Sequence, residues 1–238
     1  MPAHNEASLL AESVSAVVQG LRARHESFEL LVIENGSTDE TVRVAAELAA
    51  RDPEMSVRSL AVADYGAAIR VGILAATGEI VVLFDVDYYD LEFLDAAVAR
   101  LRAPAAEAPP AAIVVGSKRA PGAVDTRPWA RRLVTATFAA VLRVGFGLSV
   151  SDTHGMKLMR RADVEPLVER CRTHADLFDT ELVLRTERAG LGVAELPVAV
   201  HERRPSRTPI ARRALRTIVG LVRLRLITFQ ESRRRSTA

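Results

Sequence analysis

Cysteine is nearly absent from this 238-residue chain. The single residue, Cys171, excludes an internal disulfide and suits a reducing compartment. No run approaches the ~20 apolar residues of a membrane-spanning helix. The opening, Met1 to Glu6, has neither the basic start nor the apolar stretch of a secretory leader, so none is expected. Aromatic residues are few, at 5%, and none interleave with the basic stretches, which argues against a nucleic-acid surface built on base stacking. What is present suffices for a sizeable core: 49% of the chain is hydrophobic, and the length fits one α/β domain with or without a tail.

Charge of one sign is missing locally rather than overall. From Arg203 to the end there are eleven arginines against one acid, Glu231, a net of +10 that leaves −8 on the remainder of a chain totalling +2. A basic tail of this kind meets an anionic surface. On a helix, Leu215, Ile218, Val219, Val222, Leu226 and Phe229 form one apolar stripe flanked by Arg212, Arg216 and Arg223. That pattern suits a helix lying in an anionic membrane interface, or one packed on the protein's own core or on a second copy of the chain.

The most informative stretch is Glu79 to Asp90. Ile80 to Phe84 reads as a fully buried parallel strand, and it stops at Asp85 and Asp87 with one small apolar residue between them. Ligands of open α/β sheets bind at the carboxyl ends of strands, and two carboxylates so placed can face a hard divalent cation or form a solvated acidic loop. Around this stretch strands and helices alternate. Strands are expected at Phe28–Ile33, Val57–Ala61, Ile113–Gly116 and Val193–Val200. Helices are expected at Ser8–Leu21 with Ser8 as cap, Val42–Ala50, Gly66–Ala76 and Glu92–Arg102, then from Pro128, near Arg161 and at Phe178. The alternation predicts right-handed crossovers and a mostly parallel sheet. The Ala/Pro-rich segment 103–112 divides the chain into halves, 1–102 and 111–202, with a tail from 203 to 238.

Several residues carry plainer readings beside functional ones. Asp179 and Glu181 sit where helix starts prefer acids, and Asp152 suits a turn. His4, His154 and His201 lack metal-ligand spacing and read as polar lining.

Four separated segments resemble the family-2 glycosyltransferases of the GT-A fold, and among them the polyprenyl-phosphate (dolichyl-phosphate) mannose or glucose synthases. These are Pro2-Ala3-His4-Asn5-Glu6, Glu34 to Thr41 (Glu-Asn-Gly-Ser-Thr-Asp-Glu-Thr), Asp85-Val86-Asp87, and Ser151-Asp152-Thr153 with Phe178-Asp179-Thr180-Glu181. The resemblance implies a Rossmann-like, mostly parallel sheet flanked by helices. It implies that Pro2, Ala3, Asn5, Glu6 and Asp39 line the nucleoside pocket, that Asp85 and Asp87 hold Mg²⁺ or Mn²⁺ against the diphosphate of a GDP- or UDP-hexose, and that Arg119, Arg131 and Arg203 or Arg204 grip phosphates. Asp87, Asp152, Asp179 and Glu181 are the candidate catalytic residues. The implied reaction is inverting transfer of mannose or glucose to a polyprenyl phosphate at the inner face of the cytoplasmic membrane. A soluble hydroxyl acceptor, with Asp152, Asp179 or Glu181 as base, is the alternative. A non-catalytic nucleotide-sugar binder is a third reading. No nucleic-acid partner is expected, and a homodimer is possible.

Three positions depart from the family's pattern. The chain opens on its Pro-Ala motif without the apolar strand that precedes it in relatives, so either this start is internal to a longer chain or the sheet lacks a member. Tyr89 stands where many relatives have a metal-binding glutamine, and Tyr65 where they usually carry lysine or glycine.

Overall fold

The computed structural model describes residues 1–175, 177–200 and 210–236, and the side chains of these except 130, 210–216 and 232–236. In chain order the elements are β1 (Pro2–Ala3), α1 (Leu10–Arg22), β2 (Leu30–Asn35), α2 (Thr41–Arg51), β3 (Met55–Leu60), α3 (Tyr65–Ala75), β4 (Ile80–Leu83) and α4 (Leu91–Arg102). There follow β5 (Ile113–Ser117), β6 (Val124–Asp125), α5 (Trp129–Phe146), β7 (Lys157–Arg160), α6 (Arg161–Arg170), α7 (Leu177–Arg188), β8 (Val193–Pro197), β9 (Ala199–Val200) and α8 (Ile210–Ser236).

Local chemistry sets most of these boundaries. Asp90 starts α4 by accepting the Glu92 and Phe93 amides at 2.8 and 3.0 Å, and Phe93, Leu94, Ala97 and Leu101 then form its buried stripe. Asp64 caps α3 through the Ala67 amide at 3.0 Å and also accepts the Ala175 amide at 2.9 Å, tying that helix to the loop before α7. Ser8 does not cap α1: the helix begins at Leu10, and the Glu6 carbonyl accepts the Leu9 and Leu10 amides instead. The strand expected over Val193–Val200 divides in two. Val198 is buried beside Gly116 and its carbonyl accepts the Val124 amide, so β9 leaves β5 and pairs with β6.

β1, β2 and β3 form one sheet, parallel throughout. A second sheet has the order β4-β7-β5-β8, in which β5 and β8 are parallel and β7 runs against both its neighbours. The expected mostly parallel sheet is therefore present with one reversed strand. One apolar core packs α1, α2 and α4 onto the sheets, and a second packs α3, α6 and α7 onto the other side.

Between β2 and β4 lies a channel of about 610 Å³, lined by Met1, Leu31, Ile33, Ile80, Val82 and Phe84 among others. It explains why Ile80–Val82, expected to be fully buried, are only half-buried. The Met1 ammonium is enclosed there and donates to the Leu31 carbonyl at 2.9 Å. Burial, opposed in part by attraction to Asp85, lowers its pKa from 8.0 to about 6. Between those two values the unfolded chain holds a proton that the folded chain does not, so stability rises with pH across the window, by about 2–3 kcal/mol in all. Urea midpoints from pH 5.5 to 8.5 check this: the chain with a free amine gains stability that its Nα-acetylated form does not, and identical profiles would contradict it.

Candidate active site

The carboxyl ends of β1, β2 and β4 open onto one cleft of about 360 Å³. Pro2, Ala3, His4 and Glu6 line it from the first strand, Asn35 from the second, and Asp85 to Tyr88 from the fourth. Tyr65, Lys118, His154, Gly155 and Asp179 complete the wall. Pro2 and Asp179, far apart in sequence, thus face one cleft, the first from β1 and the second from the start of α7.

The acidic floor is the cleft's dominant electrostatic feature. Asp85 and Tyr88 exchange backbone hydrogen bonds at 3.1 and 3.3 Å, closing a tight turn that presents both Asp85 and Asp87 to the cleft. Burial, with repulsion from Asp179 and Asp87, raises the Asp85 carboxyl to about 6 against the pull of the Tyr65 hydroxyl, which donates to Oδ1 at 2.9 Å. Asp179 lies opposite at 1% exposure, paired with the fully buried Lys157, whose Nζ is 3.0 Å from Oδ1. That ammonium is directed to the Gly155 carbonyl at 2.9 Å, and neither Asp179 oxygen has a hydrogen-bond partner among the described residues.

Carboxylates are the donor chemistry that Mg²⁺ and Mn²⁺ take, and Asp85, Asp87 and Asp179 line one cleft, although no three acidic, histidine or cysteine side chains among the described residues gather closely enough to form a metal cluster by themselves. Asp85 and Asp87 both face this cleft, one residue apart on the Asp85–Tyr88 turn. Tyr89 is half-buried and packs its ring against the core, 6.5 Å from that of Phe84. Exchanging Tyr65 for phenylalanine removes the hydrogen bond that orients Asp85. Mn²⁺ affinity is expected to fall about tenfold with the folding midpoint nearly unchanged; a Mn²⁺ titration followed by electron paramagnetic resonance reads this out, and unaltered affinity would count against the role given to Tyr65.

Beside the aspartates, two loops are held against each other. Asn5, at a φ of 55°, accepts the Thr38 amide on Oδ1 at 2.8 Å, and its own amide donates to Ser37 Oγ at 3.0 Å. Glu6 donates its amide to Thr41 Oγ1 at 2.8 Å. Asp39 accepts the Thr41 hydroxyl and amide at 2.5 and 3.0 Å and the Ala7 amide at 3.3 Å. Burial opposes ionisation there, but these donors hold the Asp39 carboxyl below its ordinary range. Glu34 receives the Ser37 amide at 2.6 Å, and Gly36 turns the chain at a φ of 62°. A Cβ there would sit 2.7 Å from the Ala63 nitrogen, so the turn needs glycine.

The sequence model of glycosyl transferase family 2 matches residues 1–168, most of the chain. The protein belongs to that family. Glycosyltransferase AglD of Haloferax volcanii is 31% identical over 203 residues, covering 83% of this chain, which spans about a third (32%) of that relative's length. A dolichyl-phosphate beta-glucosyltransferase of Saccharomyces cerevisiae is 22% identical over 244 residues, covering 95% of this chain and 73% of the relative. Two solved structures share the GT-A fold. Glucosyl-3-phosphoglycerate synthase of Mycobacterium tuberculosis, in complex with Mn²⁺, UDP and glucosyl-3-phosphoglycerate, superposes with a TM-score of 0.67 at 22% identity over 94% of this chain and 77% of that one. A mannosyltransferase of Pyrobaculum calidifontis, in complex with GDP-Man and Mn²⁺, gives 0.62 at 21% over 96% and 62%.

In this family-2 glycosyltransferase the residues singled out from sequence fall into three groups. Pro2, Ala3, Glu6, Asp85, Asp87 and Asp179 line the cleft directly. Asn5, Asp39 and Asp152 stand behind it: Asp152 accepts the His154 and Lys118 amides at 3.0 and 3.3 Å and pairs with Lys118 Nζ at 3.3 Å, fixing a cation at the cleft wall. Glu195 anchors this loop in turn by accepting the Ser151 and Asp152 amides at 3.0 and 3.1 Å.

The remaining residues are placed elsewhere. Glu181 is not part of the cleft lining; it is buried, accepting the Arg172 and Thr173 amides at 2.8 and 2.6 Å and the Arg185 guanidinium at 2.7 Å. Two residues along α7, a rotation of about 200°, turn it away from Asp179 and into the packing under α8. Arg119 is exposed and neither it nor Arg131 lines the cleft, while Arg203, Arg204 and His201 lie outside the described residues. His154 does line the cleft, and burial lowers its pKa, which suits the polar lining read from sequence. Sequence reasoning missed Lys157, Lys118, Asn35 and the Tyr65 contact. Lys157 carried a signal as a charged residue opening an apolar strand, and Asn35 carried one as part of the Glu34–Thr41 segment.

Proposed function

We propose that this glycosyltransferase moves a hexose, mannose or glucose, from a GDP- or UDP-sugar to a polyprenyl phosphate at a membrane surface. The reading is carried by one juxtaposition: Asp85 and Asp87 share a cleft with the Pro2–Glu6 segment. A nucleotide held by Pro2, Ala3, Asn5, Glu6 and Asp39 has its diphosphate over the two aspartates. Mg²⁺ or Mn²⁺ held by Asp85 and Asp87 would offset the charge gathering on the departing nucleoside diphosphate. Family relatives named as dolichyl-phosphate beta-glucosyltransferases support the lipid acceptor, and neighbours solved with Mn²⁺ support the metal.

A phosphate monoester is already largely ionised at neutral pH, its second pKa being about 6, so no base is required. The chain's part is then to align the acceptor oxygen behind the anomeric carbon, with Lys118 as the cation nearest to hand, and an α-linked donor yields a β-linked product. Residues 1–102 serve the donor, 111–202 the acceptor, and the tail from 203 the membrane. A hydroxyl acceptor is the second reading, favoured by the unsatisfied oxygens of Asp179, the one of the three candidate bases that lines the cleft.

α8 supports the membrane assignment because it has two apolar faces. Leu221, Leu224 and Thr228 are buried against the α7 side of the core, and Arg185 clamps the helix through Glu231 at 2.9 Å. Ile218, Val219, Val222, Leu226 and Phe229, five residues of the predicted stripe, stay exposed beside Arg223 and Arg225; Leu215 is outside the described side chains. No described helix is long and apolar enough to cross a membrane. In this reading the exposed stripe and its arginines lie in an interface, on the inner face of the cytoplasmic membrane. The Val222→Asp/Leu226→Asp variant is expected to bind phosphatidylglycerol vesicles about tenfold more weakly by co-sedimentation. Unchanged binding, with loss of a dimer on gel filtration, would assign the stripe to a second copy of the chain. Transfer of labelled hexose into an organic phase only when polyprenyl phosphate is supplied tests the acceptor; label appearing on a soluble hydroxyl favours the second reading.

A further inference from the structure

The turn that presents the two aspartates also fixes a third side chain. Asp85 and Tyr88 are joined by paired backbone hydrogen bonds, and the Tyr88 ring packs against the core that holds α1 and α4 while it lines the cleft. Its hydroxyl oxygen is enclosed and has no hydrogen-bond partner among the described residues. Leaving an enclosed hydroxyl unpaired costs about 1–3 kcal/mol. Packing does not call for it, because a phenylalanine ring fills the same space.

Asp179 shares this condition. It lines the same cleft, and neither of its carboxylate oxygens has a hydrogen-bond partner among the described residues. The cleft wall therefore holds an unmet donor on one residue and unmet acceptors on another.

Charge narrows what can meet the phenol. The charges that act most strongly on it are those of Asp90, Asp152, Arg127 and Asp85, three carboxylates against one guanidinium. An anionic group brought to the hydroxyl meets net repulsion there, whereas a neutral alcohol does not. Alcohols also accept from a phenol and donate to a carboxylate, the two kinds of bond missing from this wall. Gly155 keeps the adjoining corner open. It stands at a φ of 110°, and a Cβ on it would lie 3.7 Å from Lys118 Nζ and 3.9 Å from the Tyr88 ring.

We propose that the Tyr88 hydroxyl, reached by a small turn of a ring that already lines the cleft, donates to one ring hydroxyl of the transferred hexose and so selects the sugar that the nucleotide carries. This rests on the cleft being a nucleotide-sugar site, and it gives that site a specificity-determining residue beyond those assigned to the nucleoside and the metal. A site built to bond a substrate hydroxyl rejects the analogue that lacks it, because the site's own polar group is then left unpaired.

Calorimetric titration of the full chain, with Mn²⁺ present and no acceptor, tests this. The ligands are UDP, GDP, UDP-glucose, GDP-mannose and singly deoxygenated forms of whichever hexose donor binds better. In the parent, one deoxygenated donor is expected to bind about tenfold more weakly than the full sugar. In Tyr88→Phe the full sugar falls to that same affinity, the deoxygenated donor binds as it does to the parent, and the bare nucleoside diphosphates are unaffected. The variant's urea midpoint is expected to match or exceed the parent's, since an unpaired hydroxyl contributes nothing to the fold. An undiminished preference for the full sugar in the variant overturns the role of Tyr88 alone. Equal weakening of the bare diphosphates also overturns it, by placing the phenol on the phosphates. A parent that binds none of the nucleotides overturns the nucleotide-sugar site and the proposal together.

Discussion

Replacing Asp87 with alanine is expected to lower metal-dependent nucleotide release about a thousandfold while leaving the protein folded. Asp87 lies on the Asp85–Tyr88 turn, half-buried and facing the cleft, so its loss opens no cavity in the core. It also relieves a repulsion. Burial and the neighbouring charges of Asp179 and Asp87 together lift the Asp85 carboxyl to about 6, and one of those charges disappears in the variant. The metal-free variant should therefore match or exceed the parent in urea midpoint, and its Mn²⁺ affinity should fall along with its rate. Both kcat and kcat/KM should drop together, because the charge being offset develops as the nucleoside diphosphate departs. Parent-like turnover in the variant would remove the two aspartates from the reaction.

The largest effect on stability is expected from Lys157→Met. Lys157 and Asp179 are 0% and 1% exposed and 3.0 Å apart, and no other cation is paired with Asp179 among the described residues. Removing the ammonium leaves a buried carboxylate beside Asp85 and Asp87 without compensation, at a cost of about 3–5 kcal/mol. The Lys157→Met/Asp179→Asn double variant should recover most of that loss. Urea unfolding of the single and double variants measures the coupling directly. Equal destabilisation in both would mean that packing around the lysine stem, and not its charge, is what the fold requires.

These two experiments also mark what the sequence makes legible. Strand ends are readable because their chemistry is local: an apolar run that stops at Asp85 and Asp87, or β2 stopping at Glu34-Asn35-Gly36, places polar groups at the carboxyl end of a strand whatever surrounds it. The order of strands and helices follows from period in the same way, but capping is less readable: Ser8, the one cap expected, is not used, whereas Asp90 and Asp64, which were not singled out, cap α4 and α3.

Long-range pairing is less readable. Lys157 is drawn to Asp179 because β7 runs antiparallel beside β4, and nothing in an alternating pattern of strands and helices reveals one reversed strand. Glu181 shows the opposite failure. Two residues from Asp179 in sequence, it lies on another face of α7, and its partners Arg172, Thr173 and Arg185 come from the packing of that helix against its surroundings. The tail was half legible: the stripe is visible from spacing alone, but the second apolar face through Leu221 and Leu224 shows only once the α7 side of the core is in place.

The central claim is that Asp85 and Asp87 mark the diphosphate position of a sugar-transfer site facing a lipid acceptor. It is tested most directly by nucleotide release from a panel of GDP- and UDP-sugars, with Mn²⁺ or EDTA, and with or without a short polyprenyl phosphate. Release from one donor that requires both Mn²⁺ and the lipid phosphate, and that vanishes in the Asp87→Ala variant, is the predicted result. Saturable nucleotide binding with no release under any of these conditions would contradict it.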